Sequence, residues 1–308
     1  MNAASACTGT TEPRANRLKT LEGRMRTATA LCLIAVLSGA AACATSRPGP
    51  VTPVTPLDYL PALRGEYFAL QSAATGRTHH IYVRLPDGYD PAAATRYPTV
   101  YLTDGDSLFP MLAPGHLFLT YDDGLPEAIL VGIAYGGFDP AVNRRHIDFQ
   151  SPGTGVAPGE AGAAAFQRFL KTELIPEIER RHRSDGARRV LFGQSRGGAF
   201  VLYSAVTDPD LFWGRIASNP SIKPGIESLL EAAAPATRRD LTLVVTSGTR
   251  DRQDLQVEAA HWLSVWQARP ERPWRLFGER IEGGTHAANA PDAYRRGLHR
   301  LFDAAPAP

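Results

Sequence analysis

Apolar and polar residues alternate over positions 66–72 and 79–85, the two-residue period of a strand covered on one face, and Asp87-Gly88 marks the turn that follows. Beyond that turn the pattern changes. Apolar stretches at 97–103, 128–134, 190–192, 215–218 and 241–246, with a last one at 274–281, predict strands of a more deeply covered kind. Between them apolar residues recur at helical spacing. Phe166, Phe169, Leu170, Leu174 and Ile178 share one face of a helix predicted over 162–182, and Leu255, Ala259, Trp262 and Trp266 share one face over 253–267. Further helices are predicted over 200–206 and 291–302. Pro176 lacks an N–H and is expected to kink the first helix. Residues 138–160 follow neither period and read as a long irregular loop of the kind that shapes a site. A hairpin followed by alternating strands and helices predicts one α/β domain over 65–304, with a mostly parallel sheet and helices on both faces.

The fifth strand runs straight into Gly193-Gln194-Ser195-Arg196-Gly197-Gly198 and then a helix of small and apolar residues. An apolar strand, a G-x-S-x-G turn and an immediate helix are the context of a nucleophile elbow, in which a tight turn holds the serine hydroxyl proud of the sheet. The same turn aims the first free N–H groups of the helix at a developing oxyanion. Ser195 is therefore the candidate nucleophile, and the α/β-hydrolase fold is the expected architecture.

In that fold the acid and the base follow the serine along the chain. Three of the eight histidines do so. His261 lies within an amphipathic helix and His299 near the chain's end, whereas His286 follows the last strand in Gly283-Gly284-Thr285-His286. That loop position suits a general base, and imidazole, with an ordinary pKa near 6.5, takes and returns a proton near neutral pH. Asp251, just past the seventh strand, is the candidate acid that fixes the histidine tautomer. Asp254 falls at a helix start, where it favours the positive helix end. The backbone N–H groups of Arg196 and of Asp106, in the Asp104-Gly105-Asp106 loop after the third strand, are the candidate oxyanion donors.

Composition changes the picture mainly at the front. Of 33 basic and 31 acidic residues, Arg14, Arg17, Lys19, Arg24 and Arg26 stand against Glu12 and Glu22 before position 44, so the remainder is near neutral and carries no basic stripe for nucleic acid. Met25-Arg26-Thr27, the apolar stretch 28–37 and small residues up to Cys43 read as a secretory signal within residues 1–43, too short to span a membrane. Met25 is the expected true start. The segment resembles a bacterial lipoprotein signal, with Ala40 where leucine is usual, so Cys43 is the expected lipidation site; ordinary cleavage is the alternative. Residues 44–64 are proline-rich and read as an extended tether. Cys7, Cys32 and Cys43 all precede the domain, which therefore has no disulfide. The histidines lack paired ligand spacing, and neither metal nor cofactor is expected.

An ordered set of segments carries a family resemblance. Leu85-Pro86-Asp87-Gly88-Tyr89-Asp90, Val100-Tyr101-Leu102-Thr103-Asp104-Gly105-Asp106, the elbow, Asp208-Pro209-Asp210-Leu211-Phe212 and Gly284-Thr285-His286 resemble the esterase D-like family of α/β-hydrolases over about residues 65–304. Arg144-Arg145-His146-Ile147-Asp148-Phe149 and Phe169-Leu170-Lys171-Thr172-Glu173-Leu174-Ile175-Pro176 are most similar to its periplasmic esterases of trilactone catecholate siderophores. The resemblance implies ester hydrolysis through an acyl-serine, with Ser195 and His286 in matching places. Some of that branch are described as Ser–His dyads, which leaves the weight on Asp251 open. Two departures bear on specificity. Arg196 replaces an apolar or aromatic residue beside the nucleophile, and Asn219 interrupts a Ser-Pro-Ser loop expected to line the pocket. Arg144, Arg145 and Asn219 are thus candidate substrate contacts. The expected protein is an exported, periplasmic or outer-membrane-associated serine esterase acting on a small-molecule ester. The alternatives are an acetyl or feruloyl carbohydrate esterase, an acyltransferase, and a ligand-binding surface lipoprotein without catalysis.

Overall fold

The hairpin β1 (Gly65–Gln71) and β2 (Thr78–Arg84) leads one edge of an eight-stranded sheet. The other strands are β3 (Tyr97–Leu102), β4 (Ile129–Ala134), β5 (Ser184–Gln194), β6 (Gly214–Ser218), β7 (Thr242–Gly248) and β8 (Arg275–Ile281), in the order β1-β2-β4-β3-β5-β6-β7-β8. The β1/β2 and β2/β4 pairings are antiparallel and all others are parallel. The computed structural model describes residues 60–303. Met25, Cys43 and all but the last residues of the tether lie outside the described residues.

Successive residues of each inner strand face opposite layers, because side chains alternate across a sheet. Tyr101 and Leu191 join a core formed with the helices α3 (Ala163–Phe169), α4 (Ile175–Arg181), α5 (Arg196–Thr207) and α7 (Gln253–Gln267). Val100, Leu102, Val190 and Phe192 join the opposite core, under α1 (Gly105–Asp123) and α8 (Ala290–Phe302). Two short helices, α2 (Arg145–Asp148) and α6 (Ile226–Leu229), complete the set. The chain leaves β3 toward β4 on one side and returns to β5 on the other. The strand order therefore reverses at β3, and the C-terminal ends of β3 and β5 flank the crevice in which open α/β sheets bind ligands.

Four features differ from the sequence pattern. The longest helix, α1, occupies the stretch read as the loop after the third strand. Pro110 and Pro114 interrupt its sequence, and apolar residues on its outer face (Met111, Phe118, Tyr121) match those on its buried face (Leu108, Phe109, Leu112), which erases the polar contrast. The helix over 162–182 is divided by a π-turn at Leu170–Leu174, closed by Ile175 N–H donating to the Leu170 carbonyl. The wider turn places Pro176 in the first turn of α4, where its missing N–H costs least. The tether ends earlier than expected, since Pro61–Leu63 forms a 3₁₀ turn whose Leu63 packs on the α1–α8 core. Finally, β5 begins at Ser184, well before its apolar run.

The α3 layer also contains a buried titratable group. His79 is fully buried, its ring stacked on Phe169 at 4.3 Å, with Nε2 2.9 Å from Thr75 Oγ1. Burial, reinforced by Arg77, lowers its pKa from 6.5 to about 3. Above the unfolded-state value both states are neutral. Between pH 6.5 and 3 only the unfolded chain takes the proton, so stability falls as the pH falls. Urea unfolding midpoints should decrease from pH 7 to pH 5, with His79 contributing about 2 kcal/mol of the loss. His79→Phe should shallow that slope; an unchanged slope would show that other groups carry it.

Candidate active site

The C-terminal end of β5 meets the first turn of α5 with almost no space between them. A Cβ on Gly193 would lie 2.2 Å from the Gly197 carbonyl oxygen, and one on Gly197 would lie 2.4 Å from Thr103 Oγ1. Ser195 sits at the apex with φ 59° and ψ −117°, a sparsely populated conformation for a residue with a side chain. Neighbouring main chain holds it there. Ser195 N–H donates to the Ser218 carbonyl at 2.9 Å, and the Ser195 carbonyl accepts from Ser221 and Ala199 N–H at 3.0 Å each.

The next two loops bring the partners. Asp251 follows β7 and donates its N–H to the Gly248 carbonyl at 3.1 Å; His286 follows β8 beyond the Gly283-Gly284 turn. The loops are bonded to each other, through Arg250 N–H to the Gly284 carbonyl at 2.8 Å and Thr249 N–H to the Ile281 carbonyl at 3.0 Å. Their side chains form a relay. His286 Nε2 lies 2.9 Å from Ser195 Oγ, and His286 Nδ1 lies 2.9 and 3.0 Å from the two Asp251 carboxylate oxygens. The Asp251 side chain is only 1 % exposed, and Arg252 N–H donates to its Oδ1 at 2.6 Å. A buried acceptor on Nδ1 leaves the lone pair of neutral imidazole on Nε2, directed at the hydroxyl.

Ser195 and His286 open into a cavity of about 370 Å³ whose wall includes Asp106, Leu108, Met111, Phe138 and Arg145. Asp106 lies in the first turn of α1 and not in a loop, and Arg196 opens α5. Backbone N–H groups in a first turn have no intrahelical acceptor, so both helices offer free donors near the serine. The Asp106 side chain has a task invisible in the sequence. Its carboxylate accepts from the N–H groups of Tyr135, Gly136 and Gly137 at 2.8, 2.8 and 3.0 Å, and thereby fixes the loop after β4.

The expected substrate contacts fare differently. Arg145 reaches the cavity, but its guanidinium is held in a two-pronged pair with Asp104, Nε to Oδ1 at 2.6 Å and Nη2 to Oδ2 at 2.9 Å. Burial pushes the Asp104 carboxyl above the usual carboxylate range, and Arg145 opposes that rise. Arg144, half-buried beside α2, does not line the cavity. Arg196 extends its guanidinium toward Gln150 Oε1, 3.4 Å away. Asn219 is 1 % exposed and does not line the cavity either; it directly follows β6, and its N–H donates to the Thr246 carbonyl of β7. Sequence reasoning also missed Gln194, whose side-chain amide donates to the His286 carbonyl, and Asp104, whose left-handed φ of 54° starts α1. A polar residue directly before the elbow serine was the one local signal for Gln194.

A mostly parallel eight-stranded sheet, with serine on a strand-to-helix turn and aspartate and histidine on later strand-end loops, defines the α/β-hydrolase fold. The sequence profile of the family described as "Putative esterase" matches residues 72–299, and the chain belongs to that family. It is 35% identical over 166 residues to the ferri-bacillibactin esterase BesA of Bacillus subtilis, covering 50% of this chain and 57% of BesA. The chain spans about half the length of the curated relatives it matches. Among solved structures, the BES protein from Bacillus cereus superposes with a TM-score of 0.66 at 25% identity, over 77% of this chain and 94% of that one. An IroE-like serine hydrolase from Shewanella oneidensis gives 0.64 at 25% identity, over 79% and 82%.

Proposed function

We propose that this protein is a serine esterase that cleaves carboxylic esters through an acyl-Ser195 intermediate, and that its substrates are trilactone siderophores. The observation that carries the reading is the continuous relay from Ser195 Oγ through His286 to Asp251. In the first step Oγ bonds to the ester carbonyl carbon while His286 Nε2 takes the hydroxyl proton. The carbonyl electron pair moves onto oxygen, facing the N–H groups of Arg196 and Asp106. Collapse of the tetrahedral species breaks the bond to the alkoxy oxygen, which leaves with the proton from His286. Water then repeats the sequence in reverse and frees Ser195. Asp251 stays ionised and stabilises the imidazolium. The substrate class is supported by similarity to siderophore esterases such as BesA and the apo-salmochelin esterase of Escherichia coli.

The leader extends the proposal to an exported enzyme held at a membrane through acylated Cys43. One experiment addresses both parts. A fluorophosphonate probe should label the wild-type protein and leave Ser195→Ala unlabelled, and the labelled protein should follow the membrane fraction unless Cys43 is replaced by serine. Equal labelling of Ser195→Ala would remove the nucleophile assignment, and a membrane-free wild type would remove the anchor. With a ferric trilactone, linear fragments should appear; release of acetate or ferulate from polysaccharide instead would redirect the substrate class.

A further inference from the structure

We infer that Asn219 is a positioning residue that locks the loops of Ser195, Asp251 and His286 to one another, so that the relay is assembled before substrate arrives. The inference deepens the esterase reading and rests on it for the roles of those three residues.

Asn219 is bonded to the segments that carry all three residues. Its main chain lies between Ser218, which accepts from Ser195 N–H, and Ser221, which donates to the Ser195 carbonyl. Its own N–H donates to the Thr246 carbonyl on β7 at 3.0 Å. The side chain reaches the other two loops. Oδ1 accepts from Gly248 N–H at 2.8 Å, at the base of the turn that carries Asp251. The two N–H groups of Nδ2 are shared among three acceptors, the carbonyls of Thr285 and His286 at 3.0 and 2.7 Å and Asn289 Oδ1 at 2.8 Å. The orientation of the amide is dictated by these partners, since a backbone N–H offers only a donor and two carbonyls offer only acceptors.

Three further features agree with this role. Asn219 has φ 40°, a left-handed conformation that asparagine tolerates better than most side chains. It is 1 % exposed, so its bonds are not exchanged for water. The His286 carbonyl accepts from Gln194 as well, so the residue before the nucleophile and the residue after β6 grip the same atom. Serine at this place, the residue type of the Ser-Pro-Ser pattern, is too short to span from Gly248 to His286. The His286 loop has no such grip from Asp251 itself, which holds only the ring.

Displacement of a catalytic group by about 1 Å costs on the order of 10²-fold in rate. Asn219→Ala is therefore expected to lower the fluorophosphonate labelling rate by about 10- to 100-fold. It should also broaden or abolish the low-field proton resonance of His286 Nδ1–H in the full-length protein. With an ester substrate the loss should fall on kcat, with KM little changed. Asn219→Asp keeps the volume and the acceptor for Gly248 but removes the donor, and it should lose as much. This second variant decides the question if the alanine variant does not fold. Near-wild-type labelling and an unchanged His286 resonance in a folded variant would overturn the inference. Absence of labelling in the wild type would overturn the esterase reading instead, and the resonance would still report whether Asn219 positions the ring.

Discussion

His286→Ala is expected to lower kcat by about 10⁶-fold, and Asp251→Asn by about 10⁴-fold, in ester hydrolysis followed at saturating substrate. The first change removes the group bonded to Ser195 Oγ at 2.9 Å, and no other ring nitrogen is bonded to that hydroxyl among the described residues. The second keeps the shape of the side chain but offers an N–H to Nδ1. That favours the tautomer carrying its proton on Nε2, which no longer accepts from serine. KM should change little in either case, because neither residue is required for binding the ground state. A loss below about 10-fold in Asp251→Asn would show that the proposed reaction needs only a Ser–His dyad held by its loops. The buried carboxylate, both of whose oxygens lie within 3.0 Å of Nδ1, argues for the larger effect.

A large loss of stability is expected from Gly193→Ala. An added Cβ would meet the Gly197 carbonyl oxygen at 2.2 Å and its carbon at 2.4 Å, both main-chain atoms of the helix that must start there. Rotation of a side chain cannot relieve such a contact, so β5 and α5 would have to separate. We expect a loss of about 3 kcal/mol or more, read as a lower urea midpoint, together with loss of labelling. Gly115→Ala provides the contrast. It lies inside α1 with nothing within 4 Å of an added Cβ, and alanine there should raise stability by about 0.5–1 kcal/mol through helix propensity. Equal behaviour of the two variants would show that the elbow has slack that the contacts do not reveal.

These expectations trace which parts of the molecule were legible in the chain. Local rules identified the elbow, because a strand, a tight turn and a helix must each declare themselves within a few residues. The same rules placed the strands, the α7 face with Trp262 and Trp266, and the loops that bring Asp251 and His286 to the ends of β7 and β8. Helix α1 was hidden because its two prolines and its apolar outer face cancel the periodicity on which local reading depends. The π-turn before Pro176 was likewise a choice among backbone solutions that one proline permits.

Side chains that act across long sequence separations have partners that local reading does not reach. Arg145, expected as a substrate contact, lines the cavity and also pairs with Asp104, 41 residues away, and Asp106, expected as a backbone oxyanion donor, also accepts from three N–H groups about 30 residues away through its carboxylate. Asn219 looked like a pocket wall and instead ties its loop to others 29 to 70 positions distant. The sequence alone determined the strand-turn-helix setting of Ser195, the alternation of strands and helices, and the order of the candidate relay, since short-range sterics and hydrophobic periodicity act over a few residues. Only the tertiary structure decided which polar side chains face the cavity and which are consumed in holding it, because that depends on which partners the folded sheet brings within 3 Å.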